Sequence, residues 1–121
     1  MAGEKILILE DDPMVARVYE KALREDGNQV TVCTRFEDAR QQLKDIHPDA
    51  VLTDVRVGAY NGLQLAHLFR SLSPKGKVVV VTGYDDSVLR SEVAHLEGEF
   101  ILKPVNVAQL KSAFAEVSVT H

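Results

Sequence analysis

Short, unbroken apolar runs alternate with longer helical stripes along this chain, five times over. Residues 6–9, 29–33, 50–53, 78–81 and 100–102 have strand length, and the four valines at 78–81 read as a strand covered on both faces. Between these runs the apolar spacing becomes that of a helix. The first helix opens at Pro13, a residue favoured at the first helical position, with Asp12 before it as cap. Met14, Val18, Ala22 and Leu23 form its predicted inward stripe, and Gly27 stops it. Thr34, Arg35, Phe36 and Glu37 read as a capping box for a second helix. Its residues Phe36, Ala39 and Leu43 face inward, and Pro48 ends it.

The third strand delivers Asp54 into a loop over 55–60. Asn61 caps a third helix with Leu63, Leu65, Ala66, Leu68, Phe69 and Leu72 as its core-side set, and residues 73–76 turn the chain into the valine strand. Asp85 or Asp86 caps a weaker helix over 87–96, closed by Gly98. Residues 106–109 resemble a capping box for the last helix, whose stripe is Val107, Leu110, Ala113, Phe114 and Val117. Five such units with short connections imply an α/β fold, a parallel sheet with right-handed crossovers and helices on both faces.

Composition narrows the class. The 121 residues make one domain, 1–121, with room for a core but none for a second domain. A net charge of −4 argues against general nucleic-acid affinity, which needs a basic face. No apolar run approaches the roughly 18 residues of a membrane span, and the opening residues lack the shape of a signal peptide. The single cysteine, Cys33, ends an apolar strand and reads as a small core residue in a reducing, cytoplasmic setting.

The chemistry sits where the strands end. Glu10, Asp11 and Asp12 follow the first strand, Asp54 the third, Thr82 and Gly83 the fourth, and Lys103 and Pro104 the fifth. In a parallel sheet those carboxyl ends share one edge, where ligands bind. Two carboxylates about 5 Å apart repel by roughly 3 kcal/mol at an effective dielectric near 20, so Asp11, Asp12 and Asp54 together demand cations. Lys103 supplies one fixed charge. An oxygen-rich site without a Cys/His cluster suits Mg²⁺ or Mn²⁺ rather than zinc. His47, His67, His95 and His121 have no accompanying carboxylate or nucleophile pattern and read as surface or structural residues.

In this order the patches resemble the receiver domain of two-component response regulators, of the CheY-like superfamily, and the resemblance runs end to end. Gly62, Phe100 and Pro104 also fall where that family places a loop glycine, a switch aromatic and a proline after a cis bond. The resemblance implies a flavodoxin-like doubly wound (βα)5 sandwich with a five-stranded parallel sheet of order 2-1-3-4-5. It implies Asp54 as phosphoacceptor, with Asp11, Asp12, Asp54 and the backbone carbonyl of Arg56 around Mg²⁺. Thr82 would bond the phosphoryl oxygen, Lys103 would pair with it, and Thr82 and Phe100 would switch together. Arg56, Gly83, Tyr84 and Pro104 would flank the pocket, with Arg56 and Tyr84 screening it from water. Its implied partners are a sensor histidine kinase or phosphotransfer protein, an effector protein or output domain, and a second copy through the fourth helix, fifth strand and fifth helix. The family often has Met-Pro where this chain has Val57 and Gly58, which predicts a looser loop.

Two rival readings stand beside a signalling switch that is not itself an enzyme. An aspartate-nucleophile phosphatase of the haloacid dehalogenase type would want Asp-x-Asp after the first strand, and a cap insertion. Neither is present. A receiver-like interaction scaffold, not regulated by phosphorylation, would not need the full set of acids with Thr82 and Lys103. Nucleotide binding lacks its glycine-rich loop after the first strand.

Overall fold

The computed structural model describes residues 3–115. Strands β1 (Lys5–Leu9), β2 (Gln29–Cys33), β3 (Ala50–Asp54), β4 (Lys77–Thr82) and β5 (Glu99–Leu102) alternate with helices α1 (Pro13–Glu25), α2 (Phe36–Ile46), α3 (Leu63–Leu72), α4 (Ser87–His95) and α5 (Val107–Phe114). The strands form one parallel sheet, as the alternating pattern implied, in the order β2-β1-β3-β4-β5 that the family resemblance implied. A small antiparallel ribbon, Arg56–Val57 with Tyr60–Asn61, lies between β3 and α3.

Alternation along the central strands divides the core in two. Leu7, Leu9, Val51, Val78 and Val80 pack with the apolar faces of α2, α3 and the buried Val93 of α4. Ile6, Ile8, Leu52, Val79, Val81 and Ile101 pack with α1 and α5. The valines at 78–81 are all buried, because both faces of β4 carry a layer.

Several faces differ from the sequence pattern. In α1 the inward residues are Ala16, Tyr19, Ala22 and Leu23, whereas Met14 is 79% and Val18 52% exposed. Both sets keep helical spacing; the small Ala16 and the amphipathic Tyr19 carry less apolar signal than the residues they displace. Leu68 and Leu72 of α3 and Val107 of α5 are likewise exposed, and Val117 lies outside the described residues, as does His121. The second helix is capped at Arg35 without a side-chain bond, so Thr34 and Glu37 form no capping box; the Glu37 carboxylate accepts the Tyr60 hydroxyl instead. Asp86 is the α4 cap, and Gly62 is the N-cap of α3, with Asn61 Oδ1 accepting from the Leu63 N–H at 2.8 Å.

One arginine ties the lower end of the molecule. Arg70 Nε and Nη2 donate to the Leu96 carbonyl just past α4, at 3.0 and 2.8 Å. Its Nη1 faces the carbonyls of Ser73, Pro74 and Gly76 in the turn before β4. Among the described residues no helix is long and apolar enough to cross a membrane.

Candidate functional site

The carboxyl edge of the sheet brings four strand ends together. Glu10 leaves β1 with its N–H on the Cys33 carbonyl at 3.1 Å, and only 1% of the residue is exposed. Its carboxylate accepts the Asp12 N–H on Oε2 at 3.0 Å and the Lys103 ammonium on Oε1 at 3.3 Å. Asp54, the last residue of β3, is buried and accepts from Lys103 Nζ on Oδ2 at 2.6 Å. Lys103 reaches in from the end of β5, where its N–H bonds the Thr82 carbonyl at 2.8 Å and its bond to Pro104 is cis.

One ligand oxygen each from Glu10, Asp11 and Asp54 lies within 4.8 Å of the others. Burial pushes the Glu10 carboxyl up to about 7, and the Asp54 charge pushes the same way against the Asp12 N–H and Lys103. Burial alone would lower the Lys103 ammonium. The hydrogen bond and charge of Asp54, with the charge of Glu10, outweigh it and hold Lys103 above its ordinary value. A lone lysine thus leaves the acids under-compensated. An all-oxygen donor set of this kind fits a hard divalent cation of the Mg²⁺ or Mn²⁺ class.

The clustered acids are Glu10, Asp11 and Asp54, whereas the family resemblance pointed to Asp11, Asp12 and Asp54. Asp12 lies outside the cluster: its backbone is extended (φ −88, ψ 111) and its Oδ1 caps α1, accepting the N–H groups of Met14 and Val15 at 3.0 and 3.4 Å. Pro13 at the helix start fixes that role, because an acid immediately before such a proline is placed to satisfy the first free amides. Glu10 takes the place in the site. Three consecutive acids gave no sign of which two would face inward, although the buried strand before Glu10 was the available clue.

The remaining predicted residues lie around this edge. Thr82 ends β4, buried, and its Oγ1 accepts the Tyr84 N–H at 3.2 Å. A Cβ at Gly83 would meet nothing within 4 Å. The Arg56 guanidinium lies over the Tyr84 ring, 5.3 Å from its centroid. Phe100 is half-buried beneath the Arg90 guanidinium, 4.4 Å from its centroid, and Arg90 Nε is held by Asp85 at 2.6 Å. Arg90 had no sequence signal beyond being one of several charges on α4. Gly62 matters for space: a Cβ there would fall into the Asp54 carbonyl oxygen and the Thr53 hydroxyl. The loop expected to be loose is anchored as the ribbon, with Val57 buried and Tyr60 stacked on Phe36, centroids 5.0 Å apart at 12°. Burial pushes the Cys33 thiol up to about 11, in keeping with a core residue. His67 meets Glu92 at 3.0 Å across α3 and α4, and His95 Nδ1 lies 2.8 Å from the Ser91 carbonyl. His47 closes α2 in the left-handed region, φ 48.

A doubly wound parallel sheet with buried acids and a lysine at its carboxyl edge defines an α/β domain whose strand ends carry an acidic cluster paired with an ammonium group. The sequence profile of the response regulator receiver domain matches residues 6–115. This chain therefore belongs to the receiver-domain family of two-component response regulators. It is 26% identical over 114 residues to the transcriptional regulatory protein MalR of Bacillus subtilis, covering 92% of this chain and 48% of that protein. It is 33% identical over 104 residues to the sensory transduction protein LytT of Bacillus cereus, covering 83% and 41%. The chain thus spans less than half the length of these relatives. Among solved structures, a CheY-like receiver domain protein from Methanospirillum hungatei superposes with a TM-score of 0.84 at 22% identity, over 92% of this chain and 90% of that one. A response regulator from Burkholderia pseudomallei, solved with a phosphorylated aspartic acid, a calcium ion and citrate, gives 0.84 at 20% identity, over 93% and 66%.

Proposed function

We propose that this domain is a divalent-cation-dependent phosphoacceptor, taking a phosphoryl group onto Asp54 from a phosphohistidine on a partner kinase or phosphotransfer protein. The observation that carries the reading is the Lys103 ammonium at 2.6 Å from Asp54 Oδ2, beside the clustered oxygens of Glu10, Asp11 and Asp54. Those three carboxylates, with the Arg56 backbone carbonyl, are the groups that would hold the cation. A bound Mg²⁺ or Mn²⁺ supplies charge that neutralises the carboxylates and the phosphoryl oxygens.

The chain's own groups do the positioning. An Asp54 oxygen attacks phosphorus, the donor P–N bond breaks, and the imidazole nitrogen leaves with the electron pair and takes a proton. Lys103 remains protonated and offers its charge to one phosphoryl oxygen. The Thr82 hydroxyl already accepts the Tyr84 N–H, which leaves its own proton to donate to another; the Gly83 amide, with no side chain to obstruct it, takes a third. The aspartyl phosphate carries about −1.5 to −2 where the carboxylate carried a single charge, and its added charge and oxygens reward inward movement of Thr82, while Phe100 repacks beneath Arg90 toward the surface of α4, β5 and α5. That surface is the one offered to an effector, an output domain or a second copy. The Arg56–Tyr84 contact shields the pocket and sets phosphoryl lifetime.

The test is incubation with an acyl phosphate, with and without Mg²⁺, read by intact mass. Phosphoryl incorporation is expected only with the cation and is expected to vanish in Asp54→Ala; incorporation that survives that substitution refutes the acceptor. Replacing Arg56 and Tyr84 together by alanine is expected to speed loss of the phosphoryl group, followed by the same mass measurement over time.

A further inference from the structure

Position 58 carries an N–H that a proline there could not offer, and the structure uses it. Gly58 N–H donates to Asp11 Oδ2 at 3.1 Å, joining residues 47 apart in the chain. Gly58 sits at the tip of the ribbon with φ +59, a left-handed conformation that glycine adopts without penalty. This amide is thereby aimed at an otherwise exposed carboxylate.

The ribbon is held by contacts with the core and with α2. Val57 is buried in the core beside Phe36, and across the ribbon it pairs with Tyr60. The Tyr60 ring stacks on Phe36 at the start of α2, 5.0 Å between centroids and 12° from parallel. The Tyr60 hydroxyl donates to Glu37, which lowers the Glu37 carboxyl and raises the phenol. A chain of contacts therefore runs from α2 through Tyr60 and the ribbon to Gly58 and Asp11, while Glu10 and Asp54 are fixed separately by the sheet and Lys103.

Of the three clustered carboxylates, Asp11 is the exposed one, and its free rotamers are a cost that cation binding must overcome. A carboxylate can accept on both oxygens, so an amide fixed on Oδ2 orients the group and leaves acceptor sites for a metal. We propose that the ribbon is a positioning element for Asp11, and that Tyr60, by clamping it to α2, sets the divalent-cation affinity of the cluster. The inference rests on the metal reading given above and deepens it, since Tyr60 is not one of the clustered acids.

The experiment is a Mg²⁺ titration of the metal-stripped chain, followed by the backbone amide NMR signals of Glu10, Asp11, Asp54 and Gly58. Wild type is compared with Tyr60→Ala, Tyr60→Phe and Gly58→Pro, and thermal unfolding in chelator checks that each variant folds. Tyr60→Ala is expected to weaken Mg²⁺ binding about 10-fold, with faster exchange of the Gly58 amide. Tyr60→Phe keeps the stacked ring and is expected to stay near wild type. Gly58→Pro, which deletes the donor and also forbids the φ of +59 that Gly58 adopts, is expected to weaken binding at least as much as Tyr60→Ala. Unchanged or tighter binding in folded Tyr60→Ala and Gly58→Pro overturns the positioning role. Wild type that shows no Mg²⁺-dependent shifts overturns the metal reading itself, and the inference with it.

Discussion

Two loops flank the Asp54 side chain, and they are held in opposite ways. The loop after β3 is fixed through backbone and core. Gly62 N–H bonds the Val55 carbonyl, Gly62 leaves no room beside the Asp54 carbonyl, Val57 is buried and Gly58 reaches Asp11. The loop after β4 is held from outside. Besides the Tyr84 N–H on Thr82 Oγ1 and the Asp86 cap of α4, its contacts are the Arg56–Tyr84 and Asp85–Arg90 pairs, both exposed, and Gly83 stands in open space. Exposed ion pairs and cation–π contacts are each worth about 1 kcal/mol or less, so the second loop can rearrange at small cost while the first cannot. The helix that follows the second loop shares its character: Val93 is the buried residue of α4, against four in α3. Fixed geometry on the cation side and latitude on the Thr82 side suit a site that must bind one way and report another.

The sharpest challenge to this contrast is Gly62→Ala. Its methyl group has to displace the Asp54 carbonyl, so a loss of about 3 kcal/mol is expected in urea unfolding, together with loss of phosphoryl incorporation. A mild effect would mean that the first loop yields after all.

A second approach loosens the cation side without altering that loop. The Glu10 carboxyl stands at about 7 in the folded chain and at its ordinary 4.5 unfolded, so between these values the folded state holds the extra proton. Its contribution to stability is complete below about 4.5 and is lost as pH rises through 7. The thermal midpoint of the metal-free protein, compared with that of Glu10→Gln, is expected to fall over this interval, and Mg²⁺ is expected to offset the fall. A midpoint difference independent of pH would contradict the burial argument.

The smallest effect is expected at Gly83→Ala, where a Cβ meets nothing: stability within about 0.5 kcal/mol of wild type by the same unfolding measurement. The ratio between the two glycine substitutions is the most direct measure of the difference between the loops.

The strands, and with them Asp54, Thr82 and Lys103, were legible because uninterrupted apolar runs mark buried parallel strands and the residue after each run lands on one edge. Helix faces were less legible. Met14 and Val18 are more apolar than Ala16 and Tyr19 and just as helically spaced, and the packing of α1 against the sheet and α5 decides between the two stripes. That Asp12, the α1 cap, lies outside the clustered oxygens was not legible, because composition does not tell a cap from a ligand in a run of acids. Tyr60 and Gly58 were invisible for another reason: their roles depend on contacts with Phe36 and Asp11, distant in sequence, and a ribbon of two-residue strands leaves no periodic trace.

The arginine at the base of α3 has a bearing on how the domain behaves in different media. Every acceptor of the Arg70 guanidinium is a main-chain carbonyl, from two separate stretches of chain. Such dipoles neither gain nor lose protons in water, so acidity that would neutralise a carboxylate partner leaves this knot tied. Lysine would not substitute for it, because a compact ammonium cannot spread its donors over so wide a fan.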